Sequence, residues 1–146
     1  MIELIFVIVV LGILAAVAVP KFAATREDAQ ISKGAADIAS IRSGIVSVRQ
    51  KYLLRGQTGW LDKLSDTPAD QLFDGNGTSG TEVLMYPIVP KNAGGHWRSD
   101  GTDDDCEYYL YKVGTQDCKF CYNSTNGTFN LDAGSTHDFC KALVGE

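Results

Sequence analysis

Two hydrophobic patterns divide the first third of the chain. From Leu4 to Val19 every residue is apolar or glycine, and with Met1 and Ile2 the run is about as long as a helix needs to cross a bilayer. Past Pro20 the run gives way to periodicity. Ile31, Ile38, Ile41, Ile45, Val48 and Tyr52 follow one another at intervals of 7, 3, 4, 3 and 4, which is one stripe of an amphipathic helix. Lys33, Asp37, Arg42, Ser47 and Arg49 lie between them and form its solvated side. The spacing predicts one helix from near residue 1 to about Leu54, roughly 80 Å long at ~1.5 Å per residue. Pro20 lacks a backbone donor and is expected to bend or locally melt it. Gly34 and Gly44 weaken the second half, each by about 1 kcal/mol relative to alanine. Arg55-Gly56-Gln57-Thr58-Gly59 then stops the helix, with Gly56 or Gly59 as the breaker.

Residues 57–80 read as a connector. Within it Thr67-Pro68-Ala69-Asp70 resembles an N-cap followed by proline at the first helical position, so a short helix through Phe73 is expected. Residues 74–80 form a loop of glycine and small polar residues. Strand signals follow: the β-rich run 81–89, with Pro87 suggesting an edge or bulge, a turn at 92–95, and a short strand starting at His96-Trp97-Arg98. Residues 99–105 read as a polar acidic loop, 106–113 and 118–123 as strands around a turn at 114–117. Asn126-Gly127 is a hairpin signal before a last strand, Thr128-Phe129-Asn130-Leu131. The expected fold class is α+β: a long N-terminal helix packed on a three- or four-stranded antiparallel sheet, with the Ile stripe covering one face. The division is residues 1–22 for the apolar half-helix, 23–54 for the amphipathic half, 55–80 for the connector, 81–132 for the sheet and 133–146 for a C-terminal segment.

One charge interrupts the apolar run. Glu3 sits near its start, where a carboxylate in hydrocarbon costs at least ~2.5 kcal/mol and needs a partner. The next cation on the same helix is Lys21, so the simplest partner belongs to another molecule. A secretory signal peptide would place cations before a shorter apolar core and small residues at a cleavage site. Here the acid comes first, and the cations, Lys21 and Arg26, follow. A plain single-span anchor is the alternative, but it gains nothing from an intramembrane acid.

Ile2-Glu3-Leu4, the apolar run containing Gly12, and Pro20-Lys21-Phe22 together resemble the N-terminus of type IV pilins and of the related type II secretion pseudopilins. The resemblance covers residues 1–25, and the rest of the chain agrees in layout only. It implies a prepilin whose basic leader is removed by a prepilin peptidase before a Phe, whose new amine is methylated. It implies that Glu3 matches the family's acid, which meets that amine on a neighbouring subunit. In the family two residues, usually Phe-Thr, precede the position of Met1, and a leader ending in Gly precedes those. The methylated residue therefore falls outside this numbering. An assembly ATPase and a platform protein are the partners implied.

Charge and cysteines narrow the classes further. The formal net charge of −5 opposes a basic nucleic-acid surface as a global property. Four cysteines, Cys106, Cys118, Cys121 and Cys140, crowd the C-terminal end and point to two disulfides in an oxidising compartment. Cys118-Lys119-Phe120-Cys121 has the spacing of redox and zinc sites. On a strand, however, cysteines three apart face opposite sides, which opposes both a 118–121 bridge and shared ligation. Each of Cys118 and Cys121 then pairs with Cys106 or Cys140, and spacing leaves both arrangements open. A bridge to Cys140 would pin the C-terminal segment, similar to the disulfide-bounded region of many pilins.

Other candidate chemistry is thinner. Asp103-Asp104-Asp105 offers hard oxygen ligands for Ca²⁺ but lacks further ligands at regular spacing, and Asp74-x-Asn76-x-Thr78 is a fragment of a calcium loop. Three Asn-x-Ser/Thr sequons occur at Asn76, Asn123 and Asn126. Asp74 two residues before Asn76 is similar to the extended bacterial sequon, which makes Asn76 the glycosylation candidate, whereas the other two read as turn formers. His96 and His137 have no nucleophile beside them. No phosphate loop or paired-carboxylate site stands out, so no enzyme, cofactor or metal is expected.

The resulting expectation is a major pilin: a subunit held in the inner membrane, then packed helix against helix into a homo-oligomeric extracellular filament. Glu3, Gly12, Pro20 and Phe22 are its assembly residues. Adhesion, twitching motility or DNA uptake are the behaviours such filaments serve, with the surface ligand unspecified. The alternatives are a major pseudopilin of type II secretion and, from another class, a monomeric membrane-anchored binding module. Electron conduction along Phe6, Phe22 and Tyr52 is a third idea, against which ordinary packing is the simpler role.

Overall fold

The structure is a computed structural model, and it describes residues 2–103 and 106–146, without the side chains of Pro20, Ala23 and Ala24. Its order is a long helix α1 (Ile2–Leu54), strands β1 (Trp97–Thr102), β2 (Glu107–Val113), β3 (Gln116–Asn123) and β4 (Thr128–Leu131), and a short helix α2 (Asp138–Val144). The class is α+β, as the periodicity predicts. Helix α1 is 53 residues long and runs unbroken through Pro20, so the expected local melting is absent. It ends where the glycine signal placed it. Gly56 adopts φ 77°, its N–H donates to Leu53 O, and Gln57 N–H reaches back to Tyr52 O, closing the last turn as a Schellman motif.

The sheet is a four-stranded antiparallel meander in the order β1-β2-β3-β4. Alternation sorts its faces. Trp97, Tyr109, Tyr111, Cys118, Phe120, Tyr122 and Phe129 are buried on the inner face, packed with Ile38, Ile41, Ile45 and Val48 of α1. Ile31 and Tyr52 flank this core half-buried, so the whole Ile stripe is used. Burial of each of the four central aliphatics contributes about 1.5–3 kcal/mol. Aromatic rings fill the centre: Phe73 stacks on Tyr109 at 4.6 Å between centroids, Trp97 lies 4.8 Å from Tyr111, and Phe120 stacks on Phe129 at 5.4 Å.

Three expected elements take other forms. The β-rich run 81–89 is no strand; one isolated bridge, Leu72 with Ile88, is all the pairing it makes there. Pro87 and Pro90 carry no donor, and the neighbouring groups are spent on the connector, with Leu84 N–H on Phe73 O. The sheet therefore begins at Trp97 rather than residue 81. The expected helix at 67–73 is a single turn, closed by Asp70 and Gln71 N–H on Thr67 O. It cannot propagate, because Leu72 pairs with Ile88 and Phe73 sits at φ 64°. Part of the expected acidic loop is strand: β1 continues to Thr102 through an irregularity between Ser99 and Thr102, where Gly101 has φ 86°.

Candidate assembly site

The first half of α1 carries an apolar surface that the described residues of the chain do not cover. Ile2–Val19 is 18 residues with a mean hydropathy of 3.0, and none of it is buried. Its length is about 27 Å at ~1.5 Å per residue, close to the ~30 Å of bilayer hydrocarbon. Leu4, Phe6 and Phe22 are each about 70% exposed (70%, 69% and 74%). Such a continuous apolar surface is stable only in lipid or against other chains.

Glu3 lies in the first turn of α1, exposed, with no cation beside it among the described residues. Its carboxylate is well placed for the partial positive charge of a helix N-terminus, which removes only part of the cost of leaving water. At Gly12 nothing lies within 4 Å of where a Cβ would sit, so the glycine leaves an open notch in the helix surface. Glu3, Gly12, Pro20 and Phe22 are thus strung along one helix over roughly 28 Å. They do not converge into a pocket. What they share is a helix without a cover.

The second half of α1 is locked to the head by contacts that its polar residues make. Asp37 accepts the indole N–H of Trp97 at 3.1 Å and an ion pair from Lys33 at 2.9 Å. Arg42 donates through Nε to Phe129 O at 2.9 Å, taking up a free carbonyl on β4. Arg49 donates to the carbonyls of Thr58 and Gly59, with its guanidinium 4.9 Å from the Trp60 ring. The face that the periodicity predicts as solvated thus clamps the head. Gly34 and Gly44 are explained by proximity. A Cβ at Gly34 would lie 2.5 Å from Leu143 and from Tyr111, and one at Gly44 would run into the carbonyl oxygen of Val83. On propensity alone both are weak points of the helix. The available signal was that two glycines persist on a helix whose stripe is otherwise regular.

A second feature missed at that level is the buried acid Glu107. It is 7% exposed and accepts Leu64 N–H at 2.7 Å, tying the connector to the inner end of β2. Burial pushes its carboxyl above the ordinary range; the Leu64 N–H, the Tyr109 hydroxyl and the Ser65 N–H oppose that shift. Beside it Ser65 Oγ and Tyr109 Oη share a 2.7 Å hydrogen bond, Phe73 N–H donates to Ser65 Oγ at 2.9 Å, and Tyr122 Oη donates to Leu61 O at 2.6 Å. Burial also drives the Tyr109, Tyr111 and Tyr122 hydroxyls far above their ordinary pKa, so all three remain neutral donors.

The cysteines form two bridges, Cys106–Cys121 and Cys118–Cys140, each with Cα atoms 5.3 Å apart. Strand alternation is the reason for the pairing. Cys118 faces inward and reaches Cys140 on α2, fully buried; Cys121, three residues on, faces the other side and meets Cys106. Helix α2 is held on the inner face, with Leu143 over Gly34 and with His137 Nδ1 capping its start at Phe139 N. That role places His137 at a helix end, while His96 lies half-buried beside β1.

The remaining candidates are structural where they are described. Asn76 Nδ2 donates to Asp62 Oδ1 at 2.7 Å, and its Oδ1 accepts from Thr81 Oγ1 at 2.8 Å, so the sequon amide organises the connector loop. Asp74 Oδ1 caps Asp66 N–H at 3.0 Å. Of the acidic triplet, Asp103 accepts Cys106 N–H at 3.0 Å, while Asp104 and Asp105 lie outside the described residues. Among the described residues no group of three or more His, Cys, Asp or Glu side chains is placed to hold a metal ion. Comparison with known proteins adds no relative: no family model, no curated protein and no solved structure matches this chain.

Proposed function

We propose that the chain is the structural subunit of a type IV pilus-like filament, polymerising through the first half of α1. The observation that carries this reading is one helix with two fates. From Gln30 onward the helix is packed on a disulfide-stapled head, while Ile2–Val19 projects with no cover and an acid at its start. Before assembly the apolar half lies in the inner membrane. During assembly it exchanges lipid for the same segment of neighbouring subunits. Glu3 then pairs with a neighbour's N-terminal amine, which offsets the desolvation of both charges and fixes axial register, because an unpaired buried charge is costly at any other offset. The notch at Gly12 admits a neighbouring helix closely. A head-to-tail contact that does not close on itself generates a helical fibre. The sheet, the connector and α2 form the outer surface of the fibre.

Replacing Glu3 by alanine tests the reading. The variant should insert in the membrane and fold its head, yet give no fibres. Fibres at the original yield would remove Glu3 from the account. A monomeric anchored module predicts no fibres from the original chain either.

A further inference from the structure

The three Asn-x-Ser/Thr sites hold their side-chain amides in different ways. At Asn76 both ends of the amide are spent inside the connector. Its Nδ2 donates to Asp62 Oδ1 at 2.7 Å, and its Oδ1 accepts Thr81 Oγ1 at 2.8 Å and Thr78 N–H at 3.2 Å. At Asn123, the half-buried last residue of β3, Oδ1 accepts the N–H groups of Thr125 and Asn126 at 2.9 and 3.3 Å. Asn126 differs from both. Its Oδ1 accepts Thr128 N–H at 3.0 Å and the Thr128 hydroxyl at 2.6 Å, so both donors come from the residue two places on. A backbone N–H only donates, so the atom facing it is the amide oxygen. Asn126 is exposed, and its Nδ2 has no hydrogen-bond partner among the described residues. The turn around it is fixed: Gly127 N–H donates to Asn123 O at 2.8 Å, and Gly127 lies so close to Trp60 that a Cβ there would overlap the ring.

We propose that Asn126 is a glycosylation site, accepting a saccharide from a lipid-linked sugar diphosphate. In the transfer Nδ2 bonds to the anomeric carbon and the bond from that carbon to the diphosphate oxygen breaks. The lipid diphosphate leaves, and one Nδ2 proton passes to a base on the transferase. As the nitrogen loses that proton, negative charge develops on Oδ1, where the two Thr128 donors already sit. The hydroxyl two residues on thus has a stated task at Asn126. The saccharide would stand on an exposed turn and displace no packing. At Asn76 the same attachment would act on the nitrogen that holds Asp62. The transfer needs the head outside the reducing compartment, in agreement with its two disulfides, and it does not need a filament.

The test is peptide mapping by mass spectrometry of the full chain purified from the cells that make it. Trypsin separates Asn76, within 64–91, from Asn123 and Asn126, which share 120–141 and are told apart by fragmentation. A saccharide mass on Asn126 is expected, with Asn76 and Asn123 bare. Asn126→Gln should remove it. Thr128→Val keeps the branched shape of an exposed strand residue, so the hairpin stays folded, but it takes away the hydroxyl and should also remove the saccharide. Thr128→Ser should retain it. A bare Asn126 in the original chain would overturn the proposal. So would a saccharide at Asn76 or Asn123 instead, or one at Asn126 that Thr128→Val leaves in place. The mass is read on the chain whether it comes from membrane or fibre, so this result and the fate of the filament reading are separate.

Discussion

Gly44 in the middle of α1 and Val83 in the connector approach so closely that the position of a Cβ on Gly44 is occupied by the Val83 carbonyl. This contact brings the connector onto the helix and buries Val83, 5% exposed, against it. Gly44→Ala should therefore destabilise the protein although alanine favours helix by about 1 kcal/mol. Backbone cannot rotate away as a side chain can, so a net loss of about 2 kcal/mol or more is expected from urea unfolding in detergent. Gly34→Ala, facing the side chains of Leu143 and Tyr111, should cost less. Gly12→Ala should leave head stability unchanged. An unaltered midpoint for Gly44→Ala would contradict the packing described.

Asp37 and Trp97 make the one polar contact of the buried indole. Asp37→Ala leaves the indole N–H of a fully buried Trp97 without its acceptor, and a loss of about 1–3 kcal/mol is expected. Asp37→Asn retains an acceptor and should recover most of it. Unfolding followed by tryptophan fluorescence reads both.

Glu107 sets a pH dependence whose sign is opposite to that of an ordinary salt-bridged acid. Its folded carboxyl is raised above the usual 4.5, so between that value and its folded pKa the native state binds the extra proton. The stability it contributes is fully present below the usual value and is lost as pH rises through the folded pKa. Glu107→Gln preserves an acceptor for Leu64 N–H and removes the titration. The difference in unfolding free energy between the variant and the original chain should therefore grow in the variant's favour from pH 4.5 upward. A difference independent of pH would show that Glu107 does not titrate with folding.

The two bridges differ in access. Cys118 and Cys140 are fully buried beneath α2, whereas Cys106 and Cys121 are half-buried on the outer side of the sheet. Mild reductant under native conditions, followed by alkylation and peptide mapping, should label Cys106 and Cys121 first. Cys118 and Cys140 should react only as the head unfolds. Loop closure alone predicts a similar cost for losing either bridge, about 3 kcal/mol, so burial is what separates them.

Sequence carried the helical part of the fold because both of its patterns repeat many times. Ile38, Ile41, Ile45 and Val48 each vote for the same face, and Gly56 stops the helix by a local conformation that glycine favours. The meander was legible from Asn126-Gly127 and from alternation, which also excluded the 118–121 bridge. Residues 61–90 were not legible, because their structure is set by partners far away in the chain. Glu107 takes Leu64 N–H, Ser65 takes Phe73 N–H, and Gly44 takes Val83, so β propensity at 81–89 has no neighbouring strand to act on. Helix α2 escaped notice for a different reason: it is seven residues long and begins at His137, an uncommon cap. The motif singled out Glu3, Gly12, Pro20 and Phe22, and what the structure adds is that they are spread along one helix and do not converge on a site.

The central claim is that Ile2–Val19 is the core of a fibre, and electron cryo-microscopy of material sheared from cells, with mass spectrometry of its subunit, tests it most directly. The account predicts fibres made of this chain, with the apolar halves of α1 bundled at the axis, Glu3 beside a neighbour's N-terminus, and the disulfide-stapled heads outside. Fibres in which the heads alone make the contacts, or a chain that remains monomeric in the membrane with no fibres at all, would contradict it.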